Sequence, residues 1–228
     1  MSTPRRLLIV GRGRMGRLVE SLSGDYGFEV AGVIDRRSAE RPDGWPAADV
    51  AIDFSTADAV PANLQRLVER RIPVVVGTTG WQAHEERLRA LAHSHDAGVV
   101  AAPNFAIGVN IFLALVQRAA ELASRHGQFG VWIHELHHAT KRDAPSGTAL
   151  ALERMLRQGG LQGDVPIAST RAGAIPGTHT VGFDAAAETL TLTHEARDRS
   201  VFACGALEAA RWIIGRKGWF SMQDVIKM

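Results

Sequence analysis

This chain has one cysteine, Cys204, among 228 residues, so no internal disulfide holds it together and a reducing compartment suits it. Long hydrophobic runs are missing as well. No apolar stretch nears the ~18 residues needed to cross a bilayer, and Leu7-Leu8-Ile9-Val10 is too short for the apolar core of a secretory leader. Nor is one charge in excess: 26 basic residues face 24 acidic ones, and the basic ones are scattered rather than massed in a stripe. That argues against nucleic acid as a partner. Internal repeats, low-complexity tracts and coiled-coil heptads are also lacking, which leaves out solenoids and rods. What is present, 46% hydrophobic and 22% charged residues, is the composition of a globular protein long enough to bury a real core. A cytoplasmic protein with no membrane partner is expected.

The first half reads as strands alternating with helices. Leu7–Val10 is a buried strand, and Gly11-Arg12-Gly13-Arg14-Met15-Gly16 follows at once. Met15, Leu18, Val19 and Leu22 then recur at helical spacing, with Gly24 as the expected stop. Phe28–Ile34 is the next strand and closes on Asp35, 19 positions after Gly16. Strand, glycines, helix, strand and acid in that order are the context that makes Gly-x-Gly-x-x-Gly a dinucleotide site. The glycines admit a pyrophosphate to a helix N-terminus, and the acid accepts ribose hydroxyls. The whole loop, Arg12 and Met15 included, is the candidate cofactor site, with Arg14 placed for a phosphate contact. Arg36 and Arg37 follow Asp35. The carboxylate favours NADH and an arginine there can pair with a 2′-phosphate, so NADH and NADPH are both expected as cofactors.

Further units follow: strand 50–54, helix 57–71, strand 73–76, helix 81–94 and strand 98–102. The repetition predicts a Rossmann-type, doubly wound parallel sheet. Ligands of such sheets bind beyond the carboxyl ends of the strands. Two loops fall there, Gly77-Thr78-Thr79-Gly80 and Ala102-Pro103-Asn104-Phe105.

The second half departs from that alternation. A long amphipathic helix over 109–124 is punctuated by Gly127 and Gly130, and Val131-Trp132-Ile133 opens a strand. A helix from about Gly147 to Gln158 is stopped by Gly159 and Gly160. Extended stretches at 166–171, 178–184 and 188–195 follow, the last alternating with period two. An α+β domain with an open mixed sheet and one helical layer is expected. A helical pattern returns over 206–214, and Asp224-Val225-Ile226 reads as a closing strand.

The densest chemistry lies between His134 and Ala149. His134-Glu135-Leu136-His137-His138 fits His-Glu-x-x-His, which on a helix binds zinc and would make a peptidase of His134 and His138. The β-branched and aromatic lead-in favours a strand instead. There, residues four apart are separated by roughly 13 Å, too far to share one metal. The remaining histidines (His84, His93, His95, His126, His179, His194) lack ligand spacing, so no metal is expected. On a strand His137 and His138 face opposite ways and do different jobs. Asp143-Ala144-Pro145-Ser146 brings an acid, a proline tolerated in the first helical turn and a serine able to cap. Gly147 and Thr148 then offer free N–H groups at the positive end of a helix, where a carboxylate binds. Histidine delivers protons near neutral pH, and Lys141 can donate a proton or hold a carboxylate.

Taken together, Glu135-x-His137-His138-x-x-Lys141-x-Asp143-Ala144-Pro145-Ser146-Gly147-Thr148-Ala149 resembles the signature of the dihydrodipicolinate reductases at every fixed position. These are the 4-hydroxy-tetrahydrodipicolinate reductases of lysine biosynthesis. Arg171-Ala172-Gly173-x-x-Pro176-Gly177-Thr178-His179 and Thr193-His194-Glu195-Ala196-x-x-Arg199 extend the likeness, which covers essentially the full length. The resemblance implies NAD(P)H-dependent reduction of a small cyclic imine dicarboxylate, 4-hydroxy-tetrahydrodipicolinate, to tetrahydrodipicolinate. It implies His137 as proton donor, Lys141 as second donor, and His138, Gly147 and Thr148 as substrate-binding residues. Gly77, Thr78 and Thr79, with Ala102, Pro103, Asn104 and Phe105, would line the nicotinamide ribose and ring. In the family the C-terminal segment rejoins the nucleotide domain. The expected domains are therefore 1–105 with 200–228 for the dinucleotide, and 106–199 for substrate binding and oligomerisation, with four such sheets packed into a homotetramer. The departure from the family is a compact Asp35–Asp49 connection. A nucleotide-binding regulator without turnover would need a damaged proton-transfer motif, and this one is intact.

Overall fold

The computed structural model describes residues 3–39 and 44–227, so the compact 35–49 connection lies partly outside the described residues. The chain forms two compact units: residues up to Ile107 together with those from Ser200 on, and Gly108–Arg199. The first unit runs through β1 (Arg5–Val10), α1 (Arg14–Leu22), β2 (Phe28–Ile34), α2 (Arg36–Ala39), β3 (Val50–Asp53), α3 (Val60–Glu69), β4 (Val74–Val76), α4 (Glu85–Ser94) and β5 (Gly98–Ala101). The second holds α5 (Ile107–Ala123), β6 (Gly130–His137), α6 (Gly147–Gln158), β7 (Ile167–Arg171), β8 (Thr178–Asp184) and β9 (Thr189–Glu195). The chain then returns to the first unit with α7 (Ser200–Ile213), β10 (Gly218–Phe220) and α8 (Met222–Ile226).

The first sheet is parallel throughout, in the order β10-β5-β4-β3-β1-β2. Its central strands are buried on both sides because alternate side chains feed two cores. Leu7, Ile9, Val50, Ile52, Val75 and Val100 pack with α1 and α7, while Leu8, Val10, Ala51, Val74, Val76 and Val99 pack with α3 and α4. This is the doubly wound sheet that the alternation predicts.

Two local expectations fail. Gly24 does not end the first helical region: a 3₁₀ turn over Ser23–Tyr26 carries the chain to Gly27, whose φ of +76° makes the left-handed stop. Asp224-Val225-Ile226 is not a strand. Ser221 and Asp224 form a capping box, the Asp224 carboxylate accepting the Ser221 N–H at 2.8 Å, and that starts α8. The strand at the sheet's edge is Gly218-Trp219-Phe220, parallel to β5.

The second sheet is mixed, in the order β7-β6-β8-β9, with β6 parallel to β7 and antiparallel to β8. Helices α5 and α6 cover one face, where Phe112, Val116, Leu152 and Leu156 pack on Ile133, Val181 and Phe183. The opposite face presents Trp132, His134 and Leu136 beside threonines of β8 and β9, as the register requires. No described helix is long and apolar enough to cross a membrane.

Candidate active site

In the nucleotide loop, the glycines are glycines for different reasons. Gly11 has φ +100°, and a Cβ there would lie 2.4 Å from the Phe54 carbonyl oxygen; at Gly16 it would lie 1.9 Å from the Gly11 carbonyl oxygen. Packing requires both. At Gly13 a Cβ would meet nothing within 4 Å. Gly13 caps α1 with no side-chain hydrogen bond, so no side chain occupies the first N–H groups of that helix. A bare helix start, where the protein itself leaves room for a side chain, fits a pyrophosphate. Arg12 and Arg14 are exposed beside it, and Met15 is partly buried against the core.

Asp35 caps α2: its Oδ1 accepts the N–H groups of Arg37 (3.0 Å) and Ser38 (2.9 Å) and the Ser38 hydroxyl (2.9 Å). The bonds from Ser38, then that from Arg37 and the charge of Arg12, hold this carboxyl below its ordinary pKa. It is an anion with Oδ2 outside those bonds, as a ribose acceptor needs to be. Arg36 is exposed at the start of α2. Asp53, which the sequence reading missed, ties the neighbouring loops together. Buried at the end of β3, it accepts the Ser55 N–H (2.8 Å), the Asn63 amide (3.1 Å) and the Thr78 hydroxyl (3.3 Å). Burial pushes its pKa up against those bonds. Gly77 admits no side chain, since a Cβ would lie 2.1 Å from the Phe54 ring. Thr79 and Pro103 are exposed, and Ala102 is half-buried. Asn104 Oδ1 accepts the Ala106 N–H at 2.9 Å. Phe105 is 2% exposed with its ring edge-on to Phe54, so it has only its backbone to offer a ligand.

In the second unit, period two puts Ile133, Glu135 and His137 on the helix-covered face of β6. The register sets Arg171 of β7 opposite His137, and His179 of β8 opposite Glu135. Spacing along the chain offered no place for His179; the sheet brings it into the first cluster. Glu135 is 0% exposed. Its Oε1 accepts the Ser146 N–H (3.0 Å), the Ser169 hydroxyl (2.7 Å) and the Arg171 guanidinium (2.7 Å). Burial pushes its pKa up, but the bonds from Ser146, Arg171 and Ser169 outweigh it and hold it at about 2. Oε2 lies 3.5 Å from His137 Nδ1 and 3.6 Å from His179 Nε2. Burial lowers the pKa of His137, opposed by Glu135 and helped by Lys141 and Arg171. Burial, then the charge of His137, lowers His179 to about 4.

The helix start adjoins this cluster. Ser146 is the N-cap of α6: its Oγ accepts the Ala149 N–H at 3.2 Å and lies 3.1 Å from His179 Nε2. Pro145 therefore precedes the cap rather than occupying the first turn, which begins at Gly147. Gly147 is exposed and Thr148 half-buried, with their N–H groups at the positive helix end. Lys141 Nζ is paired with Asp143 at 2.8 Å, the lysine 22% and the aspartate 59% exposed. His138, half-buried beyond the strand's end, has Nδ1 2.8 Å from the Thr140 hydroxyl.

Donor atoms of Glu135, His137 and His179 lie within 4.8 Å of one another, close enough to consider a metal. Arg171 on the same carboxylate, at 2.7 Å, already supplies the cation that offsets its charge. His134 faces the other side of the sheet, bonded to the Thr170 hydroxyl at 3.0 Å. On a strand it cannot share a metal with His138, which removes the basis for a zinc peptidase.

The profile of the dihydrodipicolinate reductase N-terminus matches residues 5–105, and that of the C-terminus matches 108–226. The 4-hydroxy-tetrahydrodipicolinate reductase of Christiangramia forsetii is 34% identical over 96% of this chain and 97% of its own. That of Zymomonas mobilis subsp. mobilis is 35% identical over 96% and 95% respectively. A dipicolinate-bound dihydrodipicolinate reductase from Paenisporosarcina sp. TG-14 has a TM-score of 0.81 at 24% identity, covering 96% of this chain and 97% of that one. This last likeness concerns the fold.

Proposed function

Because the chain belongs to the dihydrodipicolinate reductase family, we propose that its second unit holds 4-hydroxy-tetrahydrodipicolinate and that NADH or NADPH on its first unit reduces it to tetrahydrodipicolinate. This is a step of the diaminopimelate route to lysine. The observation that carries the reading is the buried Glu135–His137–His179–Arg171 cluster beside the N-terminus of α6. It joins a proton source to a carboxylate site.

Loss of water from the substrate leaves a conjugated cyclic imine. The nicotinamide, when bound, supplies a hydride to that system. The displaced electron pair, shared between the imine nitrogen and a ring carbon, then takes up one proton, and His137 provides it. The N–H groups of Gly147 and Thr148 hold one substrate carboxylate, and His138 adds a further contact. Lys141 serves as second donor or holds the other carboxylate. Its partner Asp143 is largely exposed, so a substrate anion displaces it at little cost. On the first unit, the loop Gly11–Gly16 receives the pyrophosphate and Asp35 the ribose hydroxyls. Arg36 reads a 2′-phosphate, and the loops 77–79 and 102–105 line the nicotinamide side.

The test is nicotinamide oxidation with substrate formed in place from pyruvate and aspartate semialdehyde. Oxidation that requires both precursors supports the reading; none at all overturns it. The same reading makes the enzyme a cytoplasmic homotetramer assembled through the second sheet. In its favour, β9 is an edge strand with Leu190 53% exposed, and the face away from α5 and α6 carries Trp132 and Leu136. Light scattering is expected to give four times 24.6 kDa; an active single-chain species refutes it.

A further inference from the structure

Three polar atoms of the cluster are buried without a hydrogen-bond partner, Arg171 Nε among them, and the other two face each other: Glu135 Oε2 and His137 Nδ1, 3.5 Å apart. Such atoms are costly unless paired. The other contacts show which pairing is open. Ser146 Oγ, which accepts the Ala149 N–H, also pairs with His179 Nε2 at 3.1 Å, so that nitrogen already has a partner. Of the two imidazole nitrogens facing Oε2, His137 Nδ1 is the one with no partner of its own. At the ring's other edge stands Gly177, with φ +145°, where a Cβ would come within 3.3 Å of both Cδ2 and Nε2 of His137.

We propose that Glu135 is the positioning residue of the proton transfer: its carboxylate takes the Nδ1–H of His137, so that Nε2 carries the proton given to substrate, and Gly177 keeps that edge clear. This rests on His137 being the proton donor. In the step, the Nε2–H bond breaks and its electron pair stays on nitrogen. A C–H bond forms on the substrate ring with the pair that hydride addition displaced. The imidazolium becomes a neutral ring whose remaining proton, on Nδ1, is still held by Glu135. The carboxylate stays ionised throughout, kept so by Arg171, Ser169 and Ser146. Its part is to fix the tautomer and stabilise the charged ring, as a buried carboxylate does behind other catalytic histidines. The groups around His137 pull in both directions: Lys141 and Arg171 favour the neutral ring, Glu135 and Asp143 the charged one, while the adjacent His179, its pKa lowered to about 4, carries no charge near neutral pH.

The test is Glu135→Gln in the full-length enzyme, with kcat followed across pH. His137 acts in its protonated form, so the rate falls as pH rises through its pKa. Removing the nearby anion lowers that pKa and moves the alkaline limb to lower pH, by ~1–3 units for an opposite charge at this range. The KM for the nicotinamide is expected to stay unchanged. Glu135→Asp, which keeps the charge, should bring the limb back toward its original place although kcat remains reduced; a merely structural role would not. A limb that does not move in Glu135→Gln overturns the proposal. If that variant fails to fold, ring-nitrogen NMR of the unaltered enzyme with labelled histidine decides: neutral His137 is expected with its proton on Nδ1, and a proton on Nε2 refutes it. An inactive His137→Ala beside an unmoved limb sinks the positioning role alone, whereas a fully active His137→Ala sinks the donor assignment beneath it.

Discussion

Gly13→Ala separates folding from binding in the nucleotide loop. A Cβ at this position meets nothing within 4 Å, and the backbone angles of φ −76° and ψ −168° suit alanine. Alanine is the poorer N-cap by a few tenths to about 1 kcal/mol, while its stiffer unfolded chain returns about 0.4–1 kcal/mol. The two offset, so stability should change by less than ~1 kcal/mol. Binding should suffer far more. A methyl group over the first N–H groups of α1 holds a pyrophosphate away. Each charge-assisted bond lost there costs about 1.5–3 kcal/mol, or ~10–150-fold in Kd. Gly16→Ala is the contrasting case: its Cβ would lie 1.9 Å from the Gly11 carbonyl oxygen, so the fold itself must give way. Overpacking of that kind costs ~1–3 kcal/mol or more. Urea midpoints report the stability, and titration of protein fluorescence with NADH reports the affinity. A Gly13→Ala chain that binds NADH as tightly as the unaltered one refutes the placement of the pyrophosphate; one that loses stability like Gly16→Ala refutes the packing argument.

Three further perturbations bear on the site. His137→Ala and Lys141→Ala should each lower turnover by ~10²–10⁴-fold, the usual contribution of a general acid, with NADH affinity kept; steady-state kinetics and nucleotide titration check both halves. Arg36→Ala should weaken NADPH more than NADH, since only the former presents a 2′-phosphate, and equal loss for both in titrations would show that Arg36 does not read it. Acid should unfold the protein through the second unit. His179 is held near 4 against an ordinary 6.5, so the unfolded chain takes up its proton first and stability falls as pH drops from 6.5 toward 4, by up to about 3 kcal/mol. Glu135, held at about 2 against 4.5, adds a second loss below pH 4.5 as its stabilising charge is titrated. Urea midpoints across that range should fall less steeply for His179→Gln, and an unchanged slope counts against the buried neutral histidine.

Much of this protein is legible locally. The parallel sheet follows from buried four-residue runs separated by helical spacing. The loop Gly11–Gly16 is a dinucleotide signal because of the strand before it and the acid at the end of the next strand. The strand at His134–His137 is betrayed by Val131-Trp132-Ile133, and Ser146 reads as the cap it is. Reading fails where a segment is too short for periodicity. Asp224-Val225-Ile226 is compatible with strand or helix by pattern, and the deciding signal was Ser221 with Asp224 three residues later.

The proton-transfer cluster is another matter. The alternation of β6 already puts Glu135 and His137 on one face. Nothing in the spacing of Arg171 and His179 along the chain assigns them to that face. The chain alone determines which residues share a side of a strand, because side chains alternate with period two. It does not determine which strand lies alongside. Ser169 and Arg171 reach Glu135 across 34 and 36 residues, and His179 meets it through the β6–β8 register. A slip of one residue in β7 or β8 would turn Arg171 or His179 to the opposite face and leave Glu135 buried without its partners. That register is held by Ile133, Val181 and Phe183 packing against α5 and α6, contacts between segments far apart in the chain that only the folded protein brings together.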